Sequence, residues 1–558
     1  MPSTTQRQID HSVPDAPVAI VGAGVVGLSA AVFLAAQGIP ALLVERHPDL
    51  LSHPRARGFT QRTMELYRQV GLEATIRAAF YASGAFSFHA IQADTLAADA
   101  YQPVEEIAED TVDDLSPAPY APIDQDKLEI ILRERARELG ADIRYATELT
   151  SVAQDAAGVN LDLLDRATGA RSTMRAGYLV AADGHHSPVR RALGIPVEGP
   201  GTFFAVATLL ARADLRPALR GRPVTIAYLS RPRPGTVLIG LDDDGTRWVF
   251  GTGFDAERGD TLEAFSGDVG AALIREAAGL PDVDVTILPQ IAGTDIKAMA
   301  WPIGAHVAAR FQQGRVFLAG DAAHIVPPTG GLGANTGIQD AHNLAWKLAM
   351  VARGQVGPAL LATYDAERRP VALLTMEQAL ARWSARMRVG GENDAPPLVE
   401  YSAVAFGYRY HSGAVLGGDD GSTASFVSAS RQAAQPGTRA PHVWLRRGDT
   451  PVSTIDLSGS GFALLTGEDG GAWMAAFREA AAHAGVELAA WRIGPAGDLV
   501  DEGGAWARVW QVGPNGAVLV RPDGFVAWRS DEASDADRER EAARALAMIL
   551  GLRSKIAV

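Results

Sequence analysis

A glycine triad near the start of the chain, Gly22-x-Gly24-x-x-Gly27, limits its fold more than any other feature. It follows the apolar run Val18-Ala19-Ile20-Val21, which reads as a buried parallel strand. It opens a small-residue segment that reads as a helix to Gln37, with Gly38 as its C-cap. Ala41-Leu42-Leu43-Val44 then reads as the next strand and ends on Glu45. That order is a βαβ unit. Within it Gly22 permits the tight turn, Gly24 lets a pyrophosphate approach the backbone, and Gly27 allows close helix–strand packing. The helix N-terminus offers N–H groups and partial positive charge to phosphates. Glu45 is placed to accept hydrogen bonds from ribose hydroxyls. The pattern marks a dinucleotide site without choosing between NAD and FAD.

A chain of 558 residues is too long for one core, which sets a prior of roughly three domains. With 47% hydrophobic and 21% charged residues, bulk disorder and low complexity are excluded. The 51 basic against 65 acidic residues leave a formal charge of −14, which argues against nucleic acid or an anionic membrane as partner. The absence of cysteine excludes disulfides, Fe–S clusters, thiolate nucleophiles and dithiol relays. Any redox chemistry therefore needs a bound carrier. Residues 16–44 carry no charge, but the glycines divide them into strand and helix rather than a membrane span. The expected location is cytoplasmic, and no metal site is expected.

Two later segments favour a flavin. Asp183-Gly184 ends a buried run at 178–182, with Arg190 beyond it. Gly320-Asp321 ends the run 316–319 and leads through Pro327 and Pro328 to a glycine-rich loop and a long helix, expected over 335–352. Thr336 and Gln339 fit a capping box at that start. Asp321 sits at a strand's carboxyl end, where doubly wound sheets bind ligands. A helix N-terminus aimed at the ligand would stabilise the anionic pyrimidine edge of reduced flavin. Residues 200–300 change to short β-rich runs, which suggests an inserted antiparallel sheet.

Taken together, these residues resemble the class A flavoprotein monooxygenases, the p-hydroxybenzoate hydroxylase-like, FAD-dependent aromatic hydroxylases. Within them the chain is similar to the polyketide hydroxylases of angucycline, anthracycline and tetracenomycin-type pathways. The resemblance rests on the motifs at 22–27, 182–190 and 320–321, and on the run from Gly330 through Asn335 to Leu348. It also rests on Tyr364-x-x-Glu367-Arg368-Arg369-Pro370. It implies an α/β chain: a Rossmann-like FAD-binding domain, an inserted antiparallel-sheet substrate domain and a C-terminal thioredoxin-like domain. The expected boundaries are a flexible leader at 1–16, the FAD-binding domain at 17–190 and 300–390, and the β-rich domain at 191–299 with help from 84–103. A linker at 391–435 and a cysteine-free thioredoxin-like domain at 436–558 follow.

The resemblance further implies roles. Glu45 would bind the adenosine ribose, Arg46 and Arg55 would lie near the pyrophosphate, and Gln125 would contact FAD. Asp183 would serve FAD and NAD(P)H pyrophosphate, and Asp321 the ribityl chain. Pro328, Gly331, Leu332, Gly333, Ala334 and Asn335 would line the isoalloxazine. NADPH or NADH would bind transiently and reduce FAD, O2 would add to give a flavin C4a-hydroperoxide, and oxygen would pass to a polycyclic phenol. The flavin carries this chemistry, so no side chain is named as catalytic. Tyr228, Trp248, Phe250, Trp301 and Pro327 are candidates for substrate contact by aromatic or apolar character and place. His324 and His342 read as structural. The C-terminal segment, including Arg521-Pro522-Asp523-Gly524, is expected to be structural or to form a homodimer. Two alternatives stay open: Baeyer–Villiger oxygenation of a related ketone, and a non-catalytic flavin- or polyketide-binding protein.

Overall fold

The computed structural model describes residues 14–52, 56–80, 89–104, 113–241, 245–387, 397–417, 426–429, 432–531 and 537–552. Arg55, most of the expected leader and parts of the 84–103 and 391–435 segments lie outside them.

The first sheet is built around parallel strands ordered Val316–Leu318, Arg171–Ala181, Ala16–Val21, Leu42–Val44 and Asp142–Arg144. Ile20, Leu43, Leu179 and Phe317 are all fully buried, as expected of strands covered on both faces. The helix Val25–Ala36 covers one face; it carries no charge, and almost every residue in it is buried. Residues 16–44 are thus strand, helix and strand. Among the described residues no helix is long and apolar enough to cross a membrane.

The second sheet has nine strands, running from His324–Ile325 through Ala298–Ala308, Val197–Arg212, Arg247–Phe254, Thr236–Gly240 and Ile226–Leu229 to Ala90–Ala93 and Tyr101–Pro103. It is antiparallel except where Ile226–Leu229 runs parallel to Ala90–Ala93, a strand delivered from another part of the chain. Ala298–Ala308 straddles the boundary expected at 299, because its pairing with Val197–Arg212 runs the whole strand.

The third sheet is ordered Leu488–Ile493, Phe462–Gly467, Ala517–Val520 and Val526–Ser530, with the first pair parallel and the others antiparallel. The helices Gly471–Ala484 and Arg538–Ile549 pack against it. Their core of Trp473, Phe477 and Trp528 is continuous with Trp346 and Met350 of the helix Leu332–Ala352. This is the thioredoxin-like arrangement, built without cysteine.

Candidate active site

The carboxyl ends of four parallel strands bring the sequence motifs to one edge. Gly22 has φ +101°, and a Cβ there would lie 2.3 Å from the Ala182 carbonyl oxygen. A Cβ at Gly27 would lie 1.9 Å from the Gly22 carbonyl oxygen. The turn, the helix and the neighbouring strand therefore close to backbone contact, a cradle that only glycine permits. Gly22, Gly24, Glu45, Arg46 and Asp183 line one cleft together with Trp301 of the second sheet. Glu45 accepts the N–H groups of Ala23 and His47, each at 2.8 Å, which fixes its carboxylate at the mouth of the cradle.

Asp183 caps its own loop. Its carboxylate accepts the Ser187 hydroxyl at 2.6 Å and the Val189 N–H at 3.0 Å. Burial pushes its pKa up against those hydrogen bonds. Gln125 clasps the loop before Phe59: its Oε1 accepts the Ala56 N–H at 3.1 Å, and its Nε2 donates to Glu129 at 2.7 Å.

Asp321 lies in the turn Gly320–Ala322. The turn is held from behind by Asp340, whose Oδ2 accepts the Gly320 N–H at 3.2 Å and meets His324 Nε2 at 2.8 Å. Arg368 donates to the other Asp340 oxygen at 2.7 Å, and Tyr364 donates to the Leu318 carbonyl at 2.7 Å. Burial raises the Asp340 carboxyl, but Arg368 and His324 outweigh it and hold the pKa below the ordinary range. Tyr364 and Arg368 of the later motif are therefore supports of the Gly-Asp turn. His324 is fully buried there. His342, half-buried, meets Gln69 Oε1 at 2.9 Å, and burial lowers its pKa to about 3.

The long helix begins at Leu332, not at Asn335, and Thr336 and Gln339 form no capping box. Gly331 is the N-cap, with φ +62°, a left-handed conformation suited to glycine. Thr336 lies inside the helix and donates to the Leu332 carbonyl at 3.0 Å. Leu332, Gly333 and Ala334 thus form the first turn, whose N–H groups have no intrahelical partner. Asn335 accepts the Thr60 N–H at 2.9 Å and the Thr63 hydroxyl at 2.6 Å, and donates to the Gly331 carbonyl at 2.8 Å. Pro328 is exposed at the loop tip, while Pro327 is buried.

Strand register sorts the aromatic candidates. Trp248 pairs with Ala211 and Phe250 with Leu209, and both aromatics, 1% and 0% exposed, join the core against the helix Asp268–Ala278. They pack the sheet's far side and do not reach the cleft, because adjacent strand positions alternate faces. Tyr228 pairs with Val237, Val237 with Gly251 and Gly251 with Thr208, while Trp301 pairs with Val206. Tyr228 and Trp301 therefore share the opposite face, and the Trp301 indole N–H donates to Thr208 Oγ1 at 2.8 Å.

Two aromatics escape a reading of the sequence. Phe204 is on that same face, 42% exposed, with its ring 6.0 Å from Trp383 of the helix Ala362–Met387. The same helix holds the loop, since Thr329 donates to the Ala379 carbonyl at 2.7 Å; from the next helix, Tyr401–Phe406, Tyr401 donates to the Gly330 carbonyl at 3.0 Å. Nothing in local sequence signals a pair brought together from two domains.

The chain matches the family described as "FAD binding domain" over residues 15–379 and the one described as "Aromatic-ring hydroxylase, C-terminal" over 433–552. The chain belongs to the FAD-dependent aromatic-ring hydroxylases. It is 42% identical to a tetracenomycin A2 monooxygenase-dioxygenase of Streptomyces glaucescens, over 93% of this chain and 94% of that one. It is 41% identical to a 4-methyl-5-nitrocatechol 5-monooxygenase of a Burkholderia species, over 96% and 98%. Among solved structures it is similar to aklavinone-11 hydroxylase in complex with FAD and aklavinone. The TM-score is 0.86 at 37% identity, covering 97% of this chain and 99% of that one. This hydroxylase is a monooxygenase with FAD as cofactor. The residues present fit that cofactor: the closed glycine cradle, the fixed Glu45 carboxylate and the open first turn at Leu332 suit a dinucleotide flavin.

Proposed function

We propose that this enzyme hydroxylates a polycyclic, polyketide-type phenol, with NAD(P)H as reductant and O2 as oxygen source. The observation that carries the reading is the aromatic face of Phe204, Tyr228 and Trp301, with Phe204 set against Trp383 of the helix that holds the 327–335 loop. Planar fused rings gain both area burial and ring contacts on such a face. The aklavinone complex and the tetracenomycin relative support it.

Bound FAD supplies electron transfer and oxygen activation. The protein's part is to hold the reactants and keep water away. Glu45 takes the adenosine ribose and Arg46 and Arg55 the pyrophosphate, while Gln125 and Asp183 order the loops around them. Asp321 holds the ribityl chain. Pro328 and Gly331 to Asn335 would line the isoalloxazine, where the first-turn N–H groups would stabilise negative charge. Trp301, locked by Thr208, presents a rigid wall to the substrate.

The Burkholderia relative supports a second reading, a monocyclic nitrocatechol as substrate. One experiment separates the two: NAD(P)H oxidation is measured with polycyclic phenols and with catechols, and products formed under ¹⁸O2 are analysed. Label in a ring hydroxyl of a polycyclic product is expected. Label in a lactone would point to Baeyer–Villiger chemistry, and stimulation by catechols alone would overturn the substrate class.

A further inference from the structure

The charges of Arg521-Pro522-Asp523-Gly524 and of Glu367-Arg368 take no part in the contacts assigned to flavin or substrate, yet they are among the most deeply buried in the molecule. Arg521 grips Glu367 with two nitrogens, at 2.6 and 2.8 Å. Lys347 donates to the same carboxylate at 2.7 Å and to Asn343 Oδ1 at 2.8 Å. Asp523 Oδ2 accepts from Asn343 at 3.1 Å and from the Trp346 indole at 3.2 Å, while its carbonyl accepts from Arg62 at 2.9 Å. Arg368, next in the chain to Glu367, carries the linkage to Asp340 and so to the Gly320 N–H. The side chains of Asp340, Lys347, Glu367, Arg368 and Arg521 are 0% exposed, and that of Asp523 is 2%.

Buried charges are tolerated only when paired, and removing one partner leaves the other uncompensated. Burial lowers the Lys347 pKa to about 8 against the pull of Glu367. Burial raises Glu367, but Arg521 and Lys347 outweigh it and hold the carboxyl well below its ordinary range. Asp340, Asn343 and Lys347 are spaced three and four residues apart, hence lie along one face of the helix whose first turn faces the flavin. The C-terminal domain thus grips the flavin-facing helix by charge at Asn343 and Trp346, and by apolar packing at Trp346 and Met350. Plain domain docking would be met by the apolar contact alone. The ion cluster adds a directional tie that ends on the Gly-Asp turn.

We propose that the C-terminal domain is a positioning element of the flavin site. Arg521 and Asp523 set the helix Leu332–Ala352, and through Glu367, Arg368 and Asp340 the Gly320–Asp321 turn, against the cofactor. This rests on the flavin placement proposed above.

The test uses the full-length chain and measures the FAD Kd and the visible spectrum of bound flavin, well below each variant's melting transition. Asp523→Asn is expected to raise the FAD Kd about tenfold, within the range of ordinary coupling between sites. Asp340→Asn should raise it as well, and the double variant should lose less than the product of the two effects. Arg521→Lys, which keeps the charge but not the two-pronged grip, should fall between wild type and Asp523→Asn. If Asp523→Asn does not fold, Trp346→Phe deletes the indole bond to Asp523 and should still raise the Kd severalfold. A lowered Tm with an unchanged FAD Kd and spectrum in the folded variants would reduce the cluster to plain stability and overturn the proposal. Asp321→Ala is measured alongside. Unchanged Kd there sinks the flavin placement itself, whereas weakened binding there with normal binding in Asp523→Asn sinks only the coupling.

Discussion

At the level of single residues, Asp321 and Asn335 show how differently two positions of one motif can act. Asp321 is half-buried in a turn whose backbone is held by Asp340. Its removal therefore spares the support: Asp321→Ala should weaken FAD retention and leave far-UV circular dichroism unchanged, and equal FAD affinity would refute its role. Asn335 reads in the sequence as a flavin-lining residue. Its side chain also ties the helix start to Thr60 and Thr63. Asn335→Ala leaves the buried Thr60 N–H without this acceptor, a loss of about 1–3 kcal/mol. A clear fall in Tm is expected, and an unchanged Tm would show that the tie contributes nothing. The motif's position was legible because it follows a strand and precedes a helix. The direction of its amide was not, since Thr60 comes from a distant segment.

Single elements carry the next set of differences. The long helix starts at Leu332, three residues before the expected Asn335, because a left-handed Gly331 ends the loop and no side-chain cap is used. Alternation along a strand predicts that Trp248 and Phe250 share a face, but not which face meets the cleft. Packing of Phe265 and Ile274 against them decides it. The opposite parity places Phe204 beside Trp383, at the end of the aromatic face. Trp383→Ala is expected to raise KM for a polycyclic phenol about tenfold, from loss of a ring contact worth on the order of 1 kcal/mol and the buried area with it. KM for a monocyclic catechol should stay as it is, because one ring does not reach that far. An equal rise for both would remove the pair from substrate selection.

At the scale of the whole molecule, the buried charges predict acid lability. Burial, then Arg62, lowers His342 to about 3, and burial, then Arg439, lowers His442 to about 4. Below the ordinary value of 6.5 the unfolded chain binds protons that the folded one refuses, so stability falls as pH falls. Glu65, Asp340 and Glu367 act further down. Burial raises each, but their cationic partners outweigh it and leave each below the ordinary 4.5 or 3.8. Their stabilisation is complete above those values and is lost below them. Tm should hold near neutral pH, decline under about 6.5 and drop more steeply under about 4.5. A Tm that stays level down to pH 4 would contradict this, and His342→Asn should flatten the first phase. The sequence by itself determined the cofactor fold, since a glycine triad between strand and helix leaves room for little but a dinucleotide. It also determined that electrons travel on a bound group, because no cysteine is present. Only the tertiary structure decided which aromatics face the cleft and what the Arg521–Asp523 turn holds. Both depend on contacts between segments hundreds of residues apart, and local periodicity carries no record of those.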